Sequence, residues 1–197
     1  MSYNFQQAKF FTTVNDLRNL PLSSGEIAIV GRSNAGKSSL LNALTQQGRL
    51  AFTSKTPGRT QHINFFTLSE GVYLVDLPGY GYAKVPEKIR MHWVHLLGDY
   101  LKRRQEIMGL VLIMDARHPL KDLDLQMIQF FVVTGKPLHV VLSKADKLNS
   151  HERRATLAKV QQDLSSYGFV NLSVQLFSSP QKSGVDELAI KLNEWLN

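Results

Sequence analysis

The string Gly31-Arg32-Ser33-Asn34-Ala35-Gly36-Lys37-Ser38 constrains the fold of this chain more than any other feature. It matches G-x-x-x-x-G-K-[ST] and stands where that pattern acquires meaning, between a strand read at Glu26 to Val30 and a helix expected from about Gly36 to Thr45. The residue types are those a phosphate chain demands. Two glycines let the backbone wrap closely round phosphate oxygens, and the exposed N–H groups at a helix N-terminus supply positive potential. Lys37 adds a full charge between the β- and γ-phosphates, and the Ser38 hydroxyl is a hard oxygen suited to Mg²⁺.

Around this turn, strands alternate with helices, which predicts an α/β layered sheet. Strands are expected at Glu26 to Val30, Ile63 to Leu68, Val72 to Asp76, Ile107 to Asp115, Leu138 to Ser143 and Leu172 to Phe177. The connection Ser69-Glu70-Gly71 is too short for a crossover, so its two strands must be antiparallel. Helices are expected at Glu87 to Gln105, with Ile89, Trp93, Leu96, Leu97, Tyr100 and Leu101 on one face, and at Leu120 to Val133 and Val185 to Leu196. Another starts near Ser150, where Asn149 and Glu152 have capping-box spacing. The expectation is a mostly parallel six-stranded sheet with one antiparallel strand and helices on both faces. Residues 23–197 form its single domain, and residues 1–22 read as a short extension.

Composition narrows the setting. The chain has 197 residues and no cysteine, which excludes disulfides and thiol metal sites. His92 and His95 share a helix face, but no carboxylate or cysteine completes a metal set. The longest apolar run, Ile107 to Met114, is far short of the ~20 residues a membrane span needs. MSYNFQQAKFFTTV has no basic stretch leading into an apolar one, so no secretory leader is expected. A soluble, cytoplasmic monomer with no membrane contact is the expectation. The net charge of +7 suggests a polyanionic partner. Lys84, Lys88 and Arg90, with Lys102, Arg103 and Arg104, are its candidate contacts.

Three further segments complete a nucleotide site. Asp76-Leu77-Pro78-Gly79 closes a strand, where the carboxylate can hold Mg²⁺ through water and the Gly79 N–H can reach a γ-phosphate. Ser143-Lys144-Ala145-Asp146 closes another, and its carboxylate can accept hydrogen bonds from guanine N1–H and the exocyclic amine. Adenine lacks that donor pair. Phe177-Ser178-Ser179 ends the last strand and suits a contact to guanine O6. Between the first two motifs, the polar stretch Ser54 to Ile63 reads as a switch segment, with Thr60 and Thr56 competing as second metal ligand.

The strings GRSNAGKSSLLNAL, SKTPGRTQHINFF, DLPGYGYAKV and SKADKL resemble GTPases of the Era and EngA group, and most specifically the EngB (YihA/YsxC) family of bacterial GTP-binding proteins. That resemblance implies the three-layer P-loop GTPase fold and a slow, Mg²⁺-dependent GTPase. Gly31 to Ser38 becomes the phosphate loop, and Gly58, Arg59, Thr60, Gln61 and His62 the first switch. Asp76 to Gly79 starts the second switch, Ser143 to Asp146 reads guanine, and Phe177 to Ser179 is the last base contact. Ser38 and Thr60 become the direct Mg²⁺ ligands, which selects Thr60 over Thr56. Lys37 and Thr60 would support hydrolysis. Tyr80 stands where Ras-like enzymes carry a water-orienting glutamine. Some Era and EngA relatives instead hold K⁺ on an asparagine, which makes Asn34 a candidate K⁺ ligand. The resemblance also implies a role in large ribosomal subunit assembly, through ribosomal RNA or a subunit precursor, and in cell division and septation.

Two competing functions remain at this point. A small-molecule P-loop kinase would need a second substrate pocket and an arginine-rich lid. A GTP-regulated interaction protein of the division machinery, without direct RNA binding, differs only in its partner, which a fold does not fix.

Overall fold

The structure, a computed structural model, describes residues 2–51, 62–81 and 87–197, the side chains of 87–93 excepted. Among these residues seven strands form one sheet, in the order β1-β3-β4-β2-β5-β6-β7. They are β1 Lys9–Val14, β2 Gly25–Gly31, β3 Ile63–Ser69, β4 Val72–Asp76, β5 Ile107–Asp115, β6 Leu138–Ser143 and β7 Leu172–Leu176. β3 runs antiparallel to both β1 and β4, and every other neighbouring pair is parallel.

The sheet thus has one strand more than the sequence predicts, and β1 lies inside the segment read as an extension. Its burial explains why it is hard to see. Only Val14 of β1 is buried, and Phe10 and Phe11 are more than half exposed. An edge strand with so little buried surface carries no clean period-two signal. A register irregularity between Phe10 and Thr12 breaks the alternation further.

Side-chain alternation along the strands divides the core into two layers. Ile27 and Ile29 of β2, with Leu74, Val111 and Ile113, face α1 (Lys37–Thr45) and α5 (Val185–Leu196). Ala28 and Val30, with Val75, Leu110, Leu112 and Val140, face α2 (Glu87–Arg103), α3 (Asp122–Val132) and α4 (Ser150–Ser165). Both faces are covered, so all seven residues of β2 are buried. On one face α5 approaches β5 so closely that a Cβ added to Gly109 would lie 2.5 Å from the Trp195 ring. The α4 start carries the expected capping box, Glu152 N–H to Asn149 Oδ1 at 2.9 Å and Asn149 N–H to Glu152 Oε2 at 2.8 Å. No helix among the described residues is long and apolar enough to cross a membrane.

At the N-terminal edge of the sheet the structure separates charges that the sequence groups together. Lys102 and Arg103 are exposed. Arg104 instead turns inward, donating from Nε and a terminal nitrogen to the fully buried Glu26 at 3.0 and 2.6 Å. It is therefore a structural residue and not part of a surface patch. The opposite, C-terminal edge positions the site. The chain leaves β2 towards β3 and β4 on one side and continues from β5 to β6 and β7 on the other, which opens a crevice at the carboxyl ends of these strands.

Candidate functional site

Register places the strand ends side by side. Ile29 pairs with Asp76, Gly31 with Ile113, Asp115 with Ser143 and Leu142 with Leu176. The segments Gly31 to Ser38, Asp76 to Gly79, Ser143 to Asp146 and Phe177 to Ser179 therefore meet along one edge.

The phosphate loop leaves β2 at Gly31 and enters α1 at Lys37. Gly36, the residue before the helix, has φ 102°, a conformation costly for any residue with a Cβ. Asn34 is also left-handed, at φ 62°, and asparagine tolerates that region better than most residues. The loop closes on itself through Ala35 N–H to Arg32 O at 3.0 Å. From the first turn of α1 the Lys37 ammonium pairs with the Asp76 carboxylate, and both side chains are nearly enclosed. Asp76 is fixed at the end of β4, while Leu77 N–H donates to Ile29 O at 3.0 Å and carries the chain across β2. Leu77 through Gly79 are buried beneath the loop.

The second half of the edge is tied to the first by Ser143 and Lys144. The buried Ser143 hydroxyl donates to the Ala35 carbonyl of the phosphate loop and lies 3.0 Å from the Met114 carbonyl. A Cβ at Gly36 would meet Ser143 Oγ at 3.5 Å, an ordinary contact, so the positive φ of Gly36 and not crowding by Ser143 calls for glycine there. A small hydroxyl suits position 143. Lys144, at φ 58°, donates from Nζ to Asn34 O at 2.8 Å and pairs with Asp115 at 3.0 Å. Its stem thus spans the gap between the strand ends.

Asp146 is oriented by a neighbour in β7's loop. The fully buried Ser178 donates its hydroxyl to Asp146 Oδ1 at 2.8 Å, which holds that carboxyl below its usual range. Ala145 N–H donates to Phe177 O at 3.0 Å, and Arg153 of α4 donates to the Ala145 carbonyl at 2.7 Å. Ser179 follows at the surface end of the same loop.

Of the expected first-switch residues, Gly58, Arg59, Thr60 and Gln61 lie outside the described residues, as does Thr56. His62 precedes β3, with Nδ1 buried and without a hydrogen-bond partner among the described residues. Lys84 also lies outside them, as do the side chains of Lys88 and Arg90.

Two carboxylates that the sequence does not single out belong to this edge. Asp115 ends β5 and holds both Lys144 and Arg117, the latter at 3.0 and 2.7 Å. Partial burial raises its carboxyl, but these cations pull it well below the ordinary range. A charged residue closing an apolar strand, with Arg117 two positions on, was a local signal, but nothing local named the distant partner Lys144. Asp124 of α3 is almost completely buried, and Tyr80 donates its hydroxyl to it at 2.6 Å.

Known proteins agree with this geometry. A family model described as "50S ribosome-binding GTPase" matches residues 26–144. A curated relative from Neisseria gonorrhoeae, "Probable GTP-binding protein EngB", is 61% identical over 98% of this chain and 93% of its own length. A relative of the same name from Laribacter hongkongensis is 58% identical over 97% of this chain and 86% of its own. The solved structure of "a probable GTP-binding protein engB" superposes with a TM-score of 0.66 at 22% identity, covering 87% of this chain and 98% of that one. Era in complex with MgGDPNP and nucleotides 1506–1542 of 16S ribosomal RNA gives 0.68 at 21%, covering 89% of this chain and 57% of Era. These two structures show the P-loop GTPase fold, and the curated relatives show more: the chain belongs to the EngB family of GTP-binding proteins.

Proposed function

We propose that this protein binds GTP and GDP with Mg²⁺, hydrolyses GTP slowly, and acts as a switch in large ribosomal subunit assembly, with consequences for cell division and septation. One observation carries the nucleotide part: the phosphate loop, Asp76 and the Lys144–Asp146 loop share one edge and brace one another through Ser143 and Lys144. Phosphates would lie on the loop's N–H groups and Lys37, and the base beside Lys144 and Asp146. The residues assigned to the nucleotide all lie within 23–197, with β1 completing the edge of the same sheet, and the protein works as a cytoplasmic monomer.

The donor set at the phosphate end fits a hard dication. Ser38 and Asp76 offer hard oxygen donors of the kind such a cation takes. Ser38 would ligate the metal with Thr60, and Asp76 would hold its water shell. Bound Mg²⁺ would neutralise charge developing on the phosphate oxygens. Lys37 would exchange Asp76 for the β- and γ-phosphates, which offer it more negative charge. Tyr80 has no amide with which to orient a water, so Asn34 is proposed as a K⁺ ligand that supplies the charge an arginine finger gives elsewhere. Ribosomal RNA or a precursor particle is the proposed partner, supported by the +7 charge and by the matched family's description.

The decisive experiment is nucleotide competition. GTP and GDP should displace a labelled guanine nucleotide, with ATP weaker by on the order of 10⁴-fold. Asp146→Asn should move the preference towards xanthine nucleotides by reversing the donor–acceptor pattern. Equal affinities for ATP and GTP would overturn the assignment. For the cation, turnover in KCl should exceed that in NaCl, and Asn34→Ala should abolish the difference. Equal rates in both salts, with and without ribosomal particles, would remove K⁺ from the mechanism.

A further inference from the structure

Tyr80 follows directly on Gly79 and faces two elements at once. Its main chain belongs to the phosphate loop: Tyr80 N–H donates to Gly31 O at 3.2 Å, and Ser33 N–H donates to Tyr80 O at 2.9 Å. Its side chain runs the other way, to the first turn of α3, where the hydroxyl donates to Asp124 Oδ1 at 2.6 Å. The other carboxylate oxygen accepts Lys121 N–H at 3.0 Å, which locks the orientation of Asp124. Asp124 is only 1% exposed, and a carboxylate at that depth is tolerated only when its oxygens are filled. Burial pushes the Asp124 carboxyl up, and burial with the neighbouring carboxylate pushes the Tyr80 hydroxyl far above its ordinary value, so the hydroxyl keeps its proton and remains a donor. Gly81 continues the contact, since a Cβ there would lie 3.1 Å from Leu123 Cδ1.

We propose that Asp124 is a positioning residue, which through the Tyr80 hydroxyl fixes the Asp76–Tyr80 segment against α3 and so sets how well Gly79 engages the terminal phosphate of a triphosphate. This rests on the GTP-binding reading above. Arg32 of the phosphate loop also lies close enough to Asp124 for its charge to favour the carboxylate, so among the described residues α3 meets the nucleotide segments through this charge, the Tyr80 bond and the Gly81 contact. Gly79 is one peptide removed from the anchored residue, so freedom gained at Tyr80 passes directly to the N–H that is to meet the γ-phosphate. A diphosphate makes no such demand. Losing the bond therefore weakens triphosphate binding selectively, whereas a packing role would lower stability and treat both nucleotides alike.

The test is the affinity for a non-hydrolysable GTP analogue and for GDP, measured on the full chain for wild type, Tyr80→Phe, Asp124→Asn and the double variant, with melting temperatures alongside. Tyr80→Phe should weaken the analogue roughly tenfold and GDP less than twofold, the lower end of the scale for one hydrogen bond to a charged group. Asp124→Asn, with one acceptor left for two donors, should shift the ratio in the same direction. The double variant should be no worse than the stronger single variant, because both changes break one interaction. An unchanged analogue-to-GDP ratio in Tyr80→Phe overturns the proposal, as do additive losses. Should Asp124→Asn fail to fold, Tyr80→Phe decides alone, since it keeps the carboxylate and the α3 cap. A wild type that binds neither nucleotide would overturn the GTP reading instead, an outcome separate from an unchanged ratio.

Discussion

At the foot of β2, Glu26 receives the Tyr100 hydroxyl at 2.6 Å and two nitrogens of Arg104 at 3.0 and 2.6 Å. Arg104 also donates to Pro21 O at 2.6 Å and pairs with Glu106 at 3.2 Å. At the head of the same strand, past the phosphate loop, Lys37 meets Asp76 through one ion pair. Both systems are nearly enclosed, yet they differ in closure. The foot is a filled network in which a rigid guanidinium satisfies several acceptors at once. The head joins a flexible ammonium to one carboxylate, and either group can be redirected to a ligand. The difference teaches that burial of charge alone does not mark a functional site. What marks it is burial at the open edge of the sheet with bonding capacity in reserve.

Paired variants at the two ends give the largest expected effects. Arg104→Met leaves Glu26 buried without its counter-charge and should cost about 3–5 kcal/mol in urea unfolding, with nucleotide affinity of the folded protein kept within about twofold. Lys37→Met should lower GTP-analogue affinity by roughly 100-fold or more, in line with losing a buried charge partner, and cost less stability than Arg104→Met. A Lys37 variant that binds normally, or an Arg104 variant whose main defect is binding, would break the distinction.

His139, the second residue of β6, tests to which end a buried polar network against the outer strand β7 belongs. Its ring nitrogens lie 2.7 Å from Ser173 Oγ and 2.8 Å from Gln175 Oε1. Gln175 in turn donates to Gly184 O at 2.8 Å, beyond the Phe177–Ser179 loop. Burial drives the His139 pKa down from 6.5 to about 4, so the ring is neutral in the fold while the unfolded chain protonates first. The folded state binds fewer protons, so stability is fully present above pH 6.5, falls as pH drops through that value, and levels off below about 4. The contribution lost is roughly 1.4 kcal/mol one pH unit below the unfolded value and approaches roughly 3 kcal/mol at the plateau. Urea titrations of wild type and His139→Gln between pH 7.5 and 4.5 should show this slope in the wild type alone. A slope shared by both proteins would assign it elsewhere.

How much could be read beforehand follows the same division. Motifs at the head are contiguous strings, so Gly31 to Ser38, Asp76 and Asp146 were legible from spacing and from the strands that precede them. Ser143 was legible in place, but its bond to Ala35 joins residues 108 apart and has no local signature. Asp124 was harder. Its capping position follows Lys121, which is not a capping residue type, and its partner Tyr80 is 44 residues away. Glu26 looked like an ordinary strand residue, and Arg104 like one of three adjacent cations. Local pattern reveals elements and contiguous loops. It does not reveal which polar residue a distant element will enclose.

The separation of Arg104 from its neighbours also sharpens the smallest expected effect. Of the three cations at 102–104, two face solvent. Lys102 lies 4.5 Å from the Phe130 ring centroid, and Arg103 is 3.4 Å from Asp99 on the same helix, an exposed pair worth little. Both cations therefore remain available to a polyanion, while Arg104 is occupied by Glu26. If the proposed ribosomal RNA partner meets this surface, each cation that contacts a phosphate adds about one to the slope of log affinity against log salt. Lys102→Gln with Arg103→Gln should lower that slope by about two and weaken binding evenly across RNA sequences, because phosphate contacts carry no base information. Affinity for GTP should stay as in the wild type, since both residues lie at the opposite edge of the sheet from Lys37. Adding Arg104→Met to the pair should reduce stability without lowering the slope again. A salt slope unaltered by the double variant would move the RNA contact to another face. A further drop on removing Arg104 would mean that the foot of β2 opens to bind, contrary to its closed network.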